Sequence, residues 1–384
     1  MARDYKVISS DSHLEINPDN WAPHVPAKWR DRAPRCIQLP NGADAVLMEN
    51  RPLHRVQTTK FAGVLSDNKA PSFATNPGWG GPEQRVREED QDGIDAEILF
   101  THPMYPDFWR AIPDDDVYAA MIHAYNEYLA EDYCSVAPDR LVAMGVIPPT
   151  NLDDAVAELE YCAKAGLKGV ALYRFPNGSG APLPEDDRFW STARDLSMPI
   201  TAHTANGSTR FTRQGSVFPY PKGPHGNRGD RDPLNTELFR FCGDIAFAPV
   251  QLAFAGVYDR FPDLEFFWGE TQIGWMSYAL WQIDDHYARY GKMFNEQHGL
   301  PLLERRPSEY LKGQNLWGFL VDALGVQQRD AIGVDKIMWG SDFPHSATDW
   351  PNSSRSIEQN FVGVPEDEKH MMLAGNAARF FHLG

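Results

Sequence analysis

The chain has 384 residues, 42% of them hydrophobic and 23% charged. It is long enough to bury a large core without disulfide or metal staples. Its net charge of −17 argues against a nucleic-acid partner, whose phosphates require clustered Lys and Arg. No apolar run approaches the ~18 residues of a membrane span. The four cysteines, Cys36, Cys134, Cys162 and Cys242, form no CxxC pair, which fits reduced thiols. The start, MARDYKVISS, lacks a signal-like apolar stretch. A cytoplasmic protein acting on a small molecule is the expectation.

In chain order, strand one is expected at 5–10 (YKVISS), strand two at 95–103, strand three at 141–148 and strand four at 168–174. Strand five follows at 199–204, strand six at 264–270, strand seven at 315–322 and strand eight at 335–344. Helical stretches are expected at 114–137, 152–165, 184–197, 237–260, 273–290 and 366–380. The second of these carries Ala155, Val156, Leu159 and Cys162 at helical spacing. Strands alternating with helices predict parallel β/α units, and eight of them predict an α/β fold of the (β/α)8 TIM-barrel type. No GxGxxG follows strand one, which disfavours a dinucleotide-binding open sheet.

Two segments break this rhythm: a long insertion after strand one, 17–90, and a polar loop after strand five, 205–235. Both leave the C-terminal ends of strands, the catalytic face of a barrel. The reading is therefore one domain over 1–384, with 17–90 as a cap, or as an arm exchanged in a homodimer.

Candidate chemistry begins in SSDSHLEI. Asp11, His13 and Glu15 alternate, so in a strand they share a face. His203 ends strand five in PITAHT, Glu270 ends strand six in FFWGET, and Asp342 ends strand eight in MWGSDFPH. These fall on one barrel rim, and all are ligand types for divalent first-row metals. Arg174, ending strand four, suits a carboxylate clamp or a surface ion pair. His102, His286 and His345 are further candidates. His286 lies deep in a helix, which at ~1.5 Å per residue could place it ~20 Å from the rim. Trp268, Trp275, Trp339, Phe343, Tyr105 and Phe108 sit at or beyond strand ends, so an apolar pocket for an aromatic or polycyclic molecule is one reading of them and ordinary packing the other.

The run from DSHLE through TAHT and WGET to MWGSDFPH and NAARFFHL resembles the amidohydrolase superfamily. The branch is that of the aminocarboxymuconate-semialdehyde decarboxylase-like, metal-dependent hydrolases and nonoxidative decarboxylases. The resemblance implies a divalent metal (Zn, Mn or Fe) held by Asp11, His13, His203 and Asp342. Asp342 would also accept a proton from a metal-activated water. It implies hydrolysis, or decarboxylation of a cyclic or aromatic carboxylated small molecule with Arg174 gripping the carboxylate. Where the family usually has a His after strand six, this chain has Glu270. Where the decarboxylases carry an Arg in the next helix, it has Gln282. With Glu15, Glu270 and His345 added, the ligand set also suits two iron ions. Some barrel proteins resembling this family are diiron monooxygenases, and that is the alternative reading, with a bulky apolar substrate. A non-catalytic metal-binding barrel is the third.

Overall fold

The computed structural model describes residues 3–49, 51, 53–56, 60–61, 64–65, 70–102, 104–203 and 247–384. Eight parallel strands appear among them: β1 (Ile8–Leu14), β2 (Ala96–Thr101), β3 (Leu141–Ala143, resuming as Gly145–Val146), β4 (Val170–Leu172), β5 (Ile200–His203), β6 (Phe266–Gly269), β7 (Asn315–Phe319) and β8 (Ile337–Trp339). Each pairs in parallel with the next in sequence as far as β8. β3 changes partner midway: the Met144 N–H donates back to Leu99 on β2 (2.9 Å) and the Gly145 N–H forward to Gly169 ahead of β4 (3.0 Å). The last gap is bridged just beyond β8. There the Asp342 N–H donates to the Asp11 carbonyl (2.9 Å) and the His13 N–H to the Phe343 carbonyl (2.7 Å). The ring of strands is a TIM barrel.

The helices form for local reasons visible in their ends. Leu152–Ala165 starts at Asn151, whose side chain accepts from the Asp154 N–H (2.9 Å), and stops at Gly166 in the left-handed region. Its inward face is the expected Ala155, Val156, Leu159 and Cys162, all buried. It lies so close to β3 that a Cβ on Gly145 would fall 2.5 Å from the Cys162 Sγ. Asp115–Tyr128 begins at an Asp114 cap and continues through a π turn, Leu129–Tyr133, and a 3-10 turn, Cys134–Val136. The helix expected at 273–290 runs instead over Met276–His298. Of that expected at 237–260, the described part forms Phe247–Phe254 and Val257–Arg260. None of the described helices is long and apolar enough to cross a membrane.

Strand one begins and ends later than its apolar content predicts, at Ile8 and Leu14 rather than at 5 and 10. The 17–90 insertion also needs correction. Its last part, Pro82–Asp92, is a regular helix standing between β1 and β2 in the barrel's rhythm. Its buried residues are Arg85, Glu88 and Glu89, so it has no apolar stripe to read. Ahead of it lie a short helix, Pro18–Trp21, and an antiparallel sheet of Arg35–Gln38, Asp44–Leu47 and His54–Arg55. Trp21 packs edge-on against Trp109 and Tyr125, and Val46, Val56 and Phe73 form a small separate core. The 205–235 loop and Cys242 lie outside the described residues.

Candidate metal centre

The centre is built at the C-terminal ends of β1, β5, β6 and β8. β1 carries one extra residue relative to β2 between Ser9 and Ser12. Such a bulge re-aims the side chains around it. Hydroxyls hold it in place: the Ser9 Oγ contacts the Asp11 carbonyl (2.9 Å), Ser12 Oγ (2.8 Å) and Ser341 Oγ (3.0 Å), and the Ser12 Oγ donates to Glu97 (2.9 Å). This polar lining explains how a strand reading SSDSH is buried throughout.

Five predicted ligands converge. The His13 Nε2 lies 3.5 Å from Asp11 Oδ1 and 3.1 Å from Asp342 Oδ1. The His203 Nε2 lies 3.4 Å from Asp11 Oδ1 and 3.4 Å from Glu270 Oε2. The His13 and His203 rings meet edge to face with centroids 4.8 Å apart. Asp11, His13, His203, Glu270 and Asp342 are all buried. Glycines make room: a Cβ on Gly269 would sit 3.1 Å from His203 Cδ2 and 3.3 Å from Asp11 Oδ2. Glu270 and Asp342 both hold left-handed backbone, with φ of 53° and 58°. For residues other than Gly that conformation costs about 1–2 kcal/mol and is retained where the surroundings fix it, often at functional sites.

The donor set fits a divalent cation. Neither carboxylate oxygen of Asp11 and neither ring nitrogen of His13 makes a hydrogen bond, although all four atoms are buried. Among the described ion pairs, those of Asp11, Glu15 and Asp342 are all to histidines. Gathering buried carboxylates without Lys or Arg is costly unless a metal supplies the charge. Asp11, His13 and His203 place one donor atom each within 4.8 Å of one another, and so do His13, Asp342 and His345.

Electrostatics agree with this reading. Burial, with His345 stacked 3.7 Å away, drives the His13 imidazole well below its ordinary pKa, so it is a neutral donor. Burial raises the Asp11 carboxyl, against the pull of His203. Burial also opposes ionisation of Asp342, but His345 and His13 outweigh it and hold that carboxyl well below the usual range. His345 is pushed up to about 10: burial works against its charge, and Asp342 and Glu15 prevail.

Glu15 follows the end of β1 and turns to a neighbouring group rather than to Asp11. Its Oε2 accepts from the Tyr105 hydroxyl (2.5 Å), and its Oε1 lies 3.6 Å from His345 Nε2 and 3.8 Å from His102 Nε2. Arg174 is half exposed at the rim, 3.8 Å from Asp107. His286 is exposed on the Met276–His298 helix against Tyr290, away from the ligand cluster. Trp268, Trp339 and Phe343 are buried in packing. Trp275 is half-buried and donates to the Thr271 and Gln272 carbonyls. Tyr105 and Phe108 line an apolar recess together with Trp109, Tyr125 and, from the insertion, Trp21, Val46 and His54.

Arg85 and Glu97 were not anticipated. The Arg85 guanidinium grips both oxygens of Glu97 (2.5 and 3.1 Å) and donates to the carbonyls of His13 (3.1 Å) and Phe343 (3.1 Å). It thereby ties together the backbone beside two predicted ligands. The available signal was Glu97 itself, the one charge in the strand AEILFT.

The amidohydrolase family profile matches residues 74–383. A gamma-resorcylate decarboxylase from Rhizobium sp. (strain MTP-10005) is 25% identical over 324 residues, covering 78% of this chain and 87% of that one. Among solved structures, an amidohydrolase from Mycobacterium avium subsp. paratuberculosis K-10 superposes with a TM-score of 0.72 at 18% identity, covering 99% and 98% of the two chains. A 5-carboxyvanillate decarboxylase from Novosphingobium aromaticivorans, complexed with manganese and 4-hydroxy-3-methoxy-5-nitrobenzoic acid, superposes at 0.67 with 17% identity, covering 99% and 96%. With the barrel, the rim ligands and a profile match spanning most of its length in agreement, the chain belongs to the amidohydrolase family.

Proposed function

We propose that the protein is a metal-dependent nonoxidative decarboxylase of an aromatic carboxylic acid. The observation that carries the reading is the buried convergence of Asp11, His13, His203 and Asp342, with hydrogen-bond-free donor atoms on Asp11 and His13. The decarboxylase names of its relatives support the reaction class, and give no support to hydrolysis or two-iron oxygenation.

Asp11, His13, His203 and Asp342 would hold the cation, with Glu270 beside His203. A cation held there would supply the positive charge that offsets an anionic substrate and the charge developing on it. In the reaction the ring carbon takes a proton, the bond to the carboxylate breaks, CO2 leaves, and the bond electrons restore the ring. Glu270, beside His203, would carry that proton at Oε2. Tyr105, bonded to Glu15, stands between the donor cluster and the apolar recess. Arg174 at the rim would exchange Asp107 for the incoming carboxylate.

The test is CO2 release from a panel of hydroxybenzoates, with metal content measured on the same preparation. Chelation should abolish turnover, Mn2+ should restore it, and His203→Ala and Asp342→Asn should be silent. Full turnover after verified metal removal overturns the proposal, as does no CO2 from any panel member with fully loaded enzyme.

A further inference from the structure

Toward solvent from the first ligand set, Glu15, His102 and His345 bring one donor atom each within 4.8 Å of one another. They come from three separate places: just past β1, just past β2 and three residues after Asp342. Glu15 Oε1 is 3.6 Å from His345 Nε2 and 3.8 Å from His102 Nε2. Those gaps are too long for hydrogen bonds. They are close to the edge of a tetrahedron around a metal, about 3.4 Å for bonds of roughly 2.1 Å.

The orientation of two of the donors, Glu15 and His345, is fixed from behind. The Tyr105 hydroxyl occupies Glu15 Oε2, which leaves Oε1 facing the two imidazoles. The His345 Nδ1 lies 3.1 Å from Asp342 Oδ1. A cation entering there would displace the Nε2 proton; with the remaining proton on Nδ1 donated to that carboxylate, the Nε2 lone pair would point at Glu15. The His345 Nε2 is buried and makes no hydrogen bond. A ligating histidine whose other nitrogen donates to a carboxylate is the usual outer-shell arrangement of metal sites. The His102 and His345 side chains are 25% and 24% exposed, so water or an entering ligand could complete the coordination.

We propose that Glu15, His102 and His345 bind a second divalent cation at the barrel mouth. His345 couples it to the first site, because the carboxylate that orients His345 is itself a ligand there. The second ion does not depend on the decarboxylase reading, and its test is read without substrate.

The experiment titrates the metal-stripped full chain with Mn2+ and, separately, Zn2+. Bound metal is counted by equilibrium dialysis with elemental analysis, and Mn2+ spectra are recorded by electron paramagnetic resonance. The wild type should bind two ions per chain, and paired Mn2+ should show magnetic coupling. Glu15→Gln and His102→Gln should each bind one and give an uncoupled Mn2+ signal, with thermal unfolding confirming that both variants fold. His203→Ala should weaken the other ion instead, by at least 10-fold. One ion per wild-type chain overturns the proposal, as does retention of two by folded Glu15→Gln and His102→Gln. Failure to release CO2 from any hydroxybenzoate would leave this count untouched, and a count of one would leave the decarboxylase reading standing.

Discussion

Arg85 offers the sharpest test of how the centre is held. The side chain is 1% exposed and its partner Glu97 is 3% exposed, so their charges are out of water. Replacing Arg85 by Met keeps most of the bulk and removes every donor. Glu97 then remains as a buried carboxylate with Ser12 as its remaining described donor, and the carbonyls of His13 and Phe343 lose a partner. Breaking a buried pair from one side costs about 3–5 kcal/mol. The two carbonyls could add roughly 1–3 kcal/mol each where water does not reach them. A loss of at least about 3 kcal/mol is expected in the urea unfolding of metal-stripped protein. Removing both charges is different, because an apolar pair of similar volume is often neutral. Arg85→Met/Glu97→Leu should therefore recover the part due to the stranded Glu97 charge and leave the cost of the two carbonyls. Metal affinity should fall by about 10- to 100-fold in the single variant, the range for outer-shell partners. A single variant within about 1 kcal/mol of wild type, or a double variant as unstable as the single one, refutes the reasoning.

Other outcomes follow from equally local geometry. Gly340→Ala would place a Cβ 2.6 Å from Asp11 Cβ and 2.9 Å from the Asp11 backbone nitrogen. Backbone cannot swing aside, so β8 must separate from β1; Tm and metal affinity should fall together, and an unchanged pair of values counts against the packing argument. His123, 2.9 Å from Glu158, has its pKa raised by that hydrogen bond. A raised folded-state value means the stabilisation is complete below about 6.5 and is lost as pH rises through the folded pKa. The unfolding midpoint of the wild type should thus lose part of its advantage over His123→Gln above neutral pH; parallel profiles would dismiss the pair. Arg174→Ala should raise KM for a carboxylated substrate with little change in kcat. An unchanged kcat/KM would leave Arg174 as a surface partner of Asp107.

The barrel was legible because several strands are short apolar runs separated by helical stretches, as in VAL, FFWG and IMW. What hid was structure whose buried face is polar. The Pro82–Asp92 helix turns Arg85, Glu88 and Glu89 inward, where Glu97, the Gly78 N–H and Arg140 meet them. Hydrophobic periodicity is blind to such a helix, so it was absorbed into the insertion. Strand one was displaced for the same reason, since serines bonded to one another replace an apolar lining.

The alternation argument placed Asp11, His13 and Glu15 on one face, and the end of β1 at Leu14 limits how far it holds. Asp11 and His13 meet His203 and Asp342, while Glu15, past the strand's end, turns to Tyr105, His102 and His345. Spacing identifies residues that can reach a rim, but it does not divide them between donor clusters. That division is made by partners from other strands: Asp342 faces His13 with Oδ1 at 3.1 Å and also orients His345 at 3.1 Å. Asp342 and Glu270 hold left-handed backbone at the two strand ends that contribute carboxylates. The fold meets that conformational cost where it sets donor direction. A one-residue shift there would carry a carboxylate away from the histidine donors while leaving the barrel's apolar core intact.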